Sequence, residues 1–469
     1  MNLVVIVPAI VISVSFIILS PSAHASTVGL PDSETSDSSS LSPPSPSSDN
    51  ASACVMFNSE ERMITITCKA TDLTQIASSL RDPDVLQRDA NIDKGWILNS
   101  GINVAQNAIL YINSSDTSWL KILADGETAY PILISGGLKI DSAKISSWNP
   151  NTNNYTSSLD SHRNGEDVHI GTPRPYIVVN DDATGTTDII NSDIAHLGYE
   201  SGYGGDTPGL RYDGGDGSLV KGNNIYDLYF GLYSSGVGGL VIENNHVHDN
   251  LHYGLDPHTG THDMSIKNNR VHNNGGIGII CSLDCYNIAI EGNVVYNNTK
   301  MGIMFSRNMT DSIARNNDVS NEDRGIVISE SSNNEIYNNT VSDSGSGIEV
   351  DEDSSGNSIH DNTIVNIEPP EDALGIEDEA ESENTLFSNE VIDSTTGSNI
   401  TLDQNPVLPS PSSDDSGNSN NGDNEGGGEE SGDGDGGGNG DAGEDDSGDS
   451  EELKISSGFH LAYQIYLLV

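Results

Sequence analysis

The chain has 469 residues and a net charge of −52, with 71 acidic and 19 basic side chains. A protein this acidic repels the phosphates of nucleic acid, which excludes DNA and RNA as expected partners. Its length exceeds that of an ordinary compact domain and is typical of one solenoid with tails at both ends. We expect such a protein to be a monomer.

The first 25 residues have the pattern of a signal peptide. An apolar run from Met1 to Leu19 precedes Ala23-His24-Ala25, where small residues match a signal-peptidase site. The start of the run has no Lys or Arg, so an uncleaved membrane anchor is the alternative. Both interpretations place the body of the protein outside the cytoplasm, either secreted or at the cell surface.

The next two segments differ in composition. Residues 26–51 are rich in Ser, Pro and Asp and predict a disordered linker. Residues 52–93 form an entry segment, in which the N-cap pair Thr71-Asp72 precedes apolar residues at helical spacing: Leu73, Ile76, Ala77 and Leu80. This amphipathic helix is expected to cover the first coil of the solenoid.

Four cysteines occur as two close pairs. Cys54 and Cys68 flank a predicted hairpin, and Cys281 and Cys285 are separated by three residues. Because an exported protein meets an oxidising compartment, all four are disulfide candidates. A four-cysteine zinc site, in which the distant pairs converge, is the less favoured alternative. No grouping of His, Met and Cys has the pattern of a copper site, so neither a metal site nor a required cofactor is predicted.

The C-terminal part of the chain predicts a solvated tail. Residues 404–452 form a Gly, Asp, Glu and Ser tract that cannot bury a core and lacks the nonapeptide repeat of calcium-binding rolls. Residues 453–469 are apolar but too short to span a bilayer, and they suit either a removed anchor signal or a surface-docking strand. Structural calcium is an option in the acidic loops Gly214-Gly215-Asp216 and Asp351-Glu352-Asp353, without a ligand pattern to support it.

Residues 94–403 alternate short Val/Ile-rich runs with Asn, Gly, Asp and Ser, and from Asn223 to Asn362 they repeat at intervals of 22 to 24 residues, with more irregular coils before that stretch. One frame is marked by glycine (Gly231, Gly254, Gly278, Gly302, Gly325 and Gly347), and a second by asparagine (Asn223, Asn245, Asn269, Asn293, Asn317, Asn339 and Asn362). So short a unit holds two or three strands and no helix, and it is neither a leucine-rich repeat nor a propeller blade. The pattern predicts an all-β, right-handed parallel β-helix whose turn asparagines form hydrogen-bonded ladders.

Alternation along each strand separates inward from outward positions. Counted from the repeat glycine, the first and third positions are apolar and inward, whereas the second and fourth face outward. Asp256 and His258 thus share an outer face with Tyr233, Ile280 and Met304, which we expect to form an exposed apolar strip that packs a ligand. Only this coil has Asp and His at these positions, which favours a site over a corner turn with a solvated histidine.

These residues resemble the polymannuronate (alginate) C-5-epimerases. Tyr253-Gly254-Leu255-Asp256-Pro257-His258 matches the Tyr-Gly-x-Asp-Pro-His motif that the periplasmic and the modular secreted enzymes carry on a parallel β-helix. The resemblance covers about two-thirds of the chain. It implies an isomerase that acts on an acidic polysaccharide, a uronan, and converts mannuronate to guluronate by removing the C5 proton and returning one on the opposite face.

The resemblance also implies roles for the motif residues. His258 is the base, Asp256 orients or polarises its neighbours, and Tyr253 is an acid–base partner. Simple alternation turns Tyr253 inward, so a bend at Gly254 is needed to bring it to the groove. A proton next to a carboxylate is very weakly acidic, and a cation or proton donor must therefore neutralise that carboxylate.

One departure concerns this cation. The periplasmic enzymes carry a carboxylate-binding Arg in Ser-Arg-Glu one coil after the motif, whereas this chain has Ser282-Leu283-Asp284. Arg307, one coil later, and Lys300 are the expected substitutes. They belong to a predicted locally positive strip that would bind a polyanion despite the negative net charge: Lys267, Arg270, Lys300, Arg307, Arg315 and Arg324.

Three other histidines lie near the motif in sequence. His262 is a secondary candidate for substrate contact because it follows His258 by four residues, whereas His248 and His272 are expected in turns. Two further functions stay open at this point. A uronan lyase would use the same base and the same cation, and a non-catalytic carbohydrate-binding or surface β-helix protein would use neither.

Overall fold

The computed structural model describes residues 54–158, 171–201, 207–351, 353–367, 372–376, 384–393 and 398–404. The predicted signal peptide, the Ser/Pro-rich linker up to residue 51, the acidic tail and the apolar C-terminus lie outside these residues. Within them the regular secondary structure is β-strand apart from one helix, α1 (Leu73–Leu80). In the part of the chain that is described, no helix has the length and apolar character needed to cross a membrane.

The first face of the β-helix is a thirteen-stranded sheet, here called the first sheet. Apart from the antiparallel hairpin β1–β2, its neighbouring strands are parallel and come from successive coils. It consists of β1 (Val55–Asn58), β2 (Met63–Ile66), β6 (Gly101–Val104), β9 (Pro131–Ile134), β12 (Tyr176–Val179), β15 (Gly209–Tyr212), β18 (Phe230–Ser235), β21 (Leu255–His258), β24 (Ile279–Ser282), β27 (Met301–Ser306), β30 (Arg324–Ser329), β33 (Ser346–Val350) and β36 (Leu374–Ile376).

The second face is a stack of parallel strands, each of which follows a strand of the first sheet in the chain. Its strands are β3 (Thr71–Asp72), β7 (Ile109–Asn113), β10 (Gly137–Asp141), β13 (Thr187–Ile190), β16 (Leu219–Lys221), β19 (Val241–Glu243), β22 (Ser265–Lys267), β25 (Ala289–Glu291), β28 (Ile313–Arg315), β31 (Glu335–Tyr337), β34 (Ser358–His360) and the start of β37 (Thr385–Asp393).

The third face completes each coil. It contains β4 (Leu86–Arg88), β5 (Gly95–Leu98), β8 (Trp119–Leu123), β11 (Lys144–Trp148), β14 (Asp193–Ala195), β17 (Asn224–Tyr226), β20 (His246–His248), β23 (Arg270–His272), β26 (Val294–Tyr296), β29 (Asp318–Ser320), β32 (Thr340–Ser342), β35 (Thr363–Val365), the end of β37, and β38 (Ser398–Gln404). Only the β4–β5 and β37–β38 pairs of this face are antiparallel among the described strands. The predicted parallel β-helix is confirmed.

The core is a set of inward stacks. The position after the repeat glycine is aligned from coil to coil in the first sheet and is fully buried throughout: Leu232, Leu255, Ile279, Ile303, Ile326 and Ile348. Burying one such side chain contributes about 1.5–3 kcal/mol relative to exposure. Because each coil is too small to enclose a core by itself, stability comes from stacking neighbouring coils.

The asparagine ladder predicted from the second repeat frame is present. The side chains of Asn223, Asn245, Asn269, Asn293, Asn317, Asn339 and Asn362 are buried, and each Nδ2 donates to the Oδ1 of the next coil's asparagine over 2.9–3.1 Å. Each Nδ2 also donates to a backbone carbonyl of a preceding coil, as Asn293 does to Ile266 at 3.0 Å. An amide suits this position because it offers two donors and an acceptor.

The ladder leads to a stability prediction. Replacing Asn293 by Ala is expected to lower the free energy of unfolding by about 3 kcal/mol. The change leaves the buried N–H donors of Asn269 and the buried carbonyl of Ile266 without their hydrogen-bond partner. Urea unfolding measures the change. Val294→Ala, an exposed position in the same turn of chain, is the matched control and should cost less than about 1 kcal/mol. Equal losses in the two variants would contradict the structural role of the ladder.

The entry segment folds as its sequence predicts. Cys54 and Cys68 form a disulfide, and Asp72 caps helix α1 by accepting from the Gln75 backbone N–H at 2.8 Å. Leu73 and Ile76 are fully buried and join the apolar core of the coils. The second predicted disulfide is wrong. Cys281 and Cys285 are buried free thiols, because Cys281 occupies an inward core position beside Phe305 while the Cys285 thiol donates to the Ser282 carbonyl at 3.2 Å.

Candidate active site

The motif lies on the outer side of the first sheet, in strand β21. Hydrogen-bonded register aligns Tyr233 with Asp256, and it aligns His258 with Ser235 on one side and Ser282 on the other. These alignments follow from the 23- and 24-residue steps of the repeat, and they agree with the predicted stacks. Side chains from coils that are far apart in sequence therefore meet around His258.

His258 is held by three neighbours. Its Nδ1 is 2.6 Å from the Thr259 hydroxyl, its Nε2 is 3.1 Å from the Arg307 guanidinium, and its ring stacks on Tyr233 with centroids 5.6 Å apart. A guanidinium can only donate, so Nε2 is the accepting, unprotonated nitrogen and the imidazole proton is on Nδ1. The lone pair of Nε2 thus faces Arg307 at the surface of the groove.

The surroundings of His258 disfavour its charged form. Burial, followed by the positive charges of Arg307 and Arg211, lowers the pKa of His258 to about 4. A histidine with this pKa is neutral at physiological pH and is available as a base. The lowered pKa keeps the imidazole neutral, although it also makes His258 a weaker base than an ordinary histidine.

This pKa leads to a prediction for pH dependence. A reaction that needs neutral His258 should lose its rate as pH falls through about 4, rather than through the ordinary histidine value near 6.5. Above about 5 the base is already neutral, and the rate should not rise further on account of this group. A pH profile of kcat/KM on a polymeric substrate tests the point. An acid limb centred near 6.5 would contradict the geometry around His258.

Arg307 reaches the motif from two coils away. It follows β27 in a left-handed backbone conformation (φ 51°), and its Nε donates to the Ser282 hydroxyl at 2.9 Å while Nη2 meets His258. The side chain thereby crosses the intervening coil, which contains Leu283. Arg307 is exposed and has no carboxylate partner among the described residues. Its charge is available to an anionic ligand.

Asp256 belongs to the predicted outer face, but its side chain is buried. Only 3% of its surface is exposed, and its Oδ1 has no hydrogen-bond partner. Burial raises the pKa of Asp256 well above its usual range, although Arg307 opposes the shift. The physical reason is that the side chain is covered by the groups packed on this face, so a charge there would be poorly solvated. In its protonated form Asp256 is a hydrogen-bond donor.

Tyr253 lies at the same groove. Burial and the nearby Asp256 raise the pKa of its phenol, while Arg307 lowers it, so the hydroxyl is within electrostatic range of both. Its ring rests against Gly276, where a Cβ would come within 2.8 Å of the tyrosine Cδ1. Glycine at that position leaves room for the ring. Tyr253 is half-buried, so it does not take the enclosed inward position that simple alternation gives it.

The predicted exposed apolar strip is only partly present. Tyr233 and Met304 are half-buried, whereas Ile280 is buried, with 6% of its surface exposed. Val327, aligned with Met304 in the next coil, is fully buried. The outward apolar residues cover each other along the stack, so they form a packed floor rather than an open strip.

The predicted positive strip is also reduced. Lys267 and Arg315 pair with Glu291 at 3.4 and 3.0 Å, and Arg324 pairs with Glu349 and Asp351. These carboxylates neutralise three of the six basic side chains, and Arg270 is held on the phenol of Tyr296 at 2.8 Å. Arg307 and Lys300 remain without such a partner in the described part of the chain. Lys300 is exposed, and its charge adds to the effect of burial in lowering the pKa of His252.

His262 does not join the motif. It lies in a turn column, with its ring stacked on Tyr286 at 4.9 Å and its Nδ1 3.0 Å from the Gly260 carbonyl. The suggested calcium loops are also occupied by other interactions. Asp351 pairs with Arg324 at 2.8 Å, and Asp216 accepts from the Gly238 N–H at 2.9 Å. Glu352 lies outside the described residues.

Two features of the structure were not predicted. Arg211 lies over the Tyr233 ring at 5.1 Å, and its positive charge contributes to the lowered pKa of His258. The register of β15 and β18 aligns Arg211 with Tyr233, whereas the motif gives no indication of this contact. His246, His248 and His272 come together on the third face, in strands rather than turns. Coil stacking joins histidines 24 residues apart into a group that could hold a metal ion, which the sequence did not lead us to expect.

The fold and this site define a class: a parallel β-helix protein with a histidine–arginine groove on its first sheet. A family model described as periplasmic copper-binding protein (NosD) matches residues 179–373, which is less than half of the chain. A search of curated proteins found no match. The solved structures give the further comparisons.

The crystal structure of the periplasmic alginate epimerase AlgG is similar to this chain with a TM-score of 0.58 and 19% identity, over 70% of this chain and 80% of that one. The A-module of the Azotobacter vinelandii mannuronan C-5 epimerase AlgE6 has a TM-score of 0.46 and 14% identity, over 64% and 84% of the two chains. The Dettilon tailspike protein has a TM-score of 0.40 and 16% identity, over 62% and 63%. At these identities the likeness to AlgG shows a shared parallel β-helix fold.

Proposed function

We propose that this protein epimerises C5 of uronate residues within an acidic polysaccharide outside the cytoplasm, converting mannuronate to guluronate. The observation that carries the proposal is the 3.1 Å contact between the unprotonated Nε2 of His258 and the guanidinium of Arg307, which has no carboxylate partner among the described residues. It places a base next to a cation, which is the pair that proton removal beside a carboxylate requires.

Arg307 supplies the cation. Before substrate arrives, its guanidinium occupies the position in front of His258. A uronate carboxylate would replace His258 as the acceptor of the guanidinium and form a charge-assisted hydrogen bond with it. The lone pair of Nε2 would then be free. Burial raises the pKa of Asp256, and in its protonated form this side chain can donate a second hydrogen bond to the same carboxylate. Both interactions strengthen as negative charge develops on the carboxylate oxygens, so they favour the transition state.

The proton transfers then balance. The C5–H bond breaks, its proton goes to Nε2 of His258, and its electron pair spreads into the carboxylate to give an enediolate. A new C5–H bond forms on the opposite face with a proton from the Tyr253 phenol, whose raised pKa keeps it protonated at neutral pH. The electron pair returns to C5, and solvent exchanges the proton from His258 back to Tyr253.

Three further points support the substrate class. The Tyr-Gly-x-Asp-Pro-His motif is complete in strand β21 and the residues before it. A protein with the same fold is described as an alginate epimerase. Arg307 and Lys300 give this face positive charge in a protein whose net charge is −52, and local field rather than net charge governs where a polyanion binds.

The test is proton NMR of polymannuronate incubated in D₂O with the purified protein. The proposal predicts guluronate signals with deuterium at C5 and no new unsaturated chain ends. A lyase would use the same base, but the C5 electron pair would form a C4–C5 double bond and expel the 4-O-linked sugar, which produces ultraviolet-absorbing ends. Binding of the polymer without either change would overturn the enzymatic proposal in favour of a carbohydrate-binding protein.

A further inference from the structure

We propose that His246, His248 and His272 form a binding site for one late first-row divalent transition-metal ion, of which Cu²⁺ fits best. The site lies on the third face, separate from the histidine–arginine groove, and does not depend on the proposed reaction. Each histidine offers one ring nitrogen, and these three nitrogens lie within 4.8 Å of one another. Three imidazoles at this spacing match the ligand set of copper, nickel and zinc sites.

Strand register creates the cluster. His246 and His248 are two residues apart in β20 and therefore point to the same side. His272 in β23 is the hydrogen-bonded neighbour of His248 in the next coil. The two Nε2 atoms of His246 and His272 face each other at 2.6 Å. This arrangement arises because the 24-residue step places β23 directly against β20.

The surroundings hold the three rings in place. His248 and His272 stack in parallel at 5.3 Å, and the column continues to Tyr226 on one side and Tyr296 on the other. His248 Nδ1 is 2.6 Å from the Asp249 carboxylate, a contact that orients a metal-binding histidine and increases its basicity. His272 is 92% buried, and its Nδ1 has no hydrogen-bond partner. Ring positions are thus fixed before any ion arrives.

The geometry favours one kind of ion. Two nitrogens 2.6 Å apart, each about 2.0 Å from a metal, subtend an angle of about 80° at that metal, closer to the square-planar 90° than to the tetrahedral angle. Tetragonal coordination is typical of Cu²⁺, which also heads the affinity order for nitrogen ligands. Calcium and magnesium prefer oxygen ligands and do not fit.

One neighbour opposes a cation and one supports it. Arg270 is aligned with His246 in the next coil, but its guanidinium is directed to the Tyr296 hydroxyl, with Nε at 2.8 Å. Asp249 brings a negative charge to His248. His246 borders an open cleft that is lined by Asn224, Asn245 and Asn268. This cleft leaves room for water as a fourth ligand.

The experiment is titration of the purified full-length chain with Cu²⁺, followed by calorimetry and by electron paramagnetic resonance. We expect one tight equivalent whose spectrum shows nitrogen ligands. His246→Ala and His272→Ala should each remove this equivalent or weaken it by at least about a hundredfold. His360→Ala should bind as the parent does, because His360 also stacks on aromatic rings beside an acidic residue but belongs to no histidine group among the described residues.

A second variant separates a ligand role from a folding role. Asp249→Asn should weaken Cu²⁺ binding by about 10- to 100-fold while leaving the nitrogen signature unchanged, since Asp249 positions a ligand and is not one. Circular dichroism confirms that each variant is folded. The proposal is overturned if the parent binds no Cu²⁺, or if a folded chain lacking all three histidines keeps the same tight equivalent.

Discussion

Replacing His258 by Gln is expected to lower the rate of epimerisation by about 10²- to 10⁴-fold, the contribution typical of a positioned general base. Glutamine can still contact Thr259 and Arg307, the partners of the histidine at 2.6 and 3.1 Å. Its amide cannot take up a proton at neutral pH. Substrate binding should change little, because the carboxylate is held by Arg307 and Asp256. The loss should therefore appear in kcat rather than in KM.

The measurement is the initial rate of guluronate formation, with the affinity for the polymer measured separately. His360→Gln is the matched control: it makes the same exchange on the second face, and the rate should stay that of the parent. A His258→Gln protein that is folded and as active as the parent would show that another group removes the C5 proton.

Replacing Arg307 by Met should have the second largest effect. Loss of the cation that stabilises the developing charge is expected to lower kcat/KM by about 10²- to 10³-fold. The same change removes one of the positive charges that depress the pKa of His258, so this pKa should rise from about 4 toward 6.5. The acid limb of the pH profile should move up accordingly, which a merely structural role of Arg307 would not cause.

The two effects are measured as a pH profile of kcat/KM and as an NMR titration of the His258 ring. Arg307→Lys keeps the charge and should recover part of the activity, with an acid limb near that of the parent. Arg315→Met removes an arginine that is already paired with Glu291, and both readouts should stay unchanged. An unaltered pKa of His258 in Arg307→Met would contradict the proposed arrangement of the groove.

The repeat made much of the fold predictable. Steps of 22 to 24 residues determine which positions align, so the inward stack through Leu255 and Ile279 and the ladder through Asn269 and Asn293 follow from the sequence. The capped helix was also predictable, because Asp72 stands directly before the first apolar helical residue. In each case the residue type at a position and the alignment of neighbouring coils predict the same structure.

Other features depend on how side chains meet across coils, which spacing alone does not determine. Asp256 and Ile280 face outward by alternation, yet neighbouring side chains cover them. Cys281 and Cys285 are close in sequence, but both thiols are buried and remain unpaired. Long, flexible basic side chains are the hardest to place, because the same residue can reach a carboxylate, as Arg324 does, or remain available.

The direction of Arg307 and the proximity of the three histidines His246, His248 and His272 were not predicted from the sequence. The resemblance leads us to expect a carboxylate-binding arginine where the chain has Leu283, and Arg307 was a candidate for this role. The direction of its side chain across the Ser282 coil is known only from the structure. His246, His248 and His272 carried no motif, since their proximity arises from strand register on the third face. Aligning the outward residues of every face, rather than of the first sheet alone, could have found them.

The most direct test of the central claim is deuterium incorporation at C5 of polymannuronate in D₂O, measured side by side for the parent chain and His258→Gln. The proposed function predicts that the parent places deuterium at C5 of newly formed guluronate and that the variant does so at least about a hundredfold more slowly. Equal incorporation by the two proteins, or none by a parent chain that binds the polymer, would contradict it.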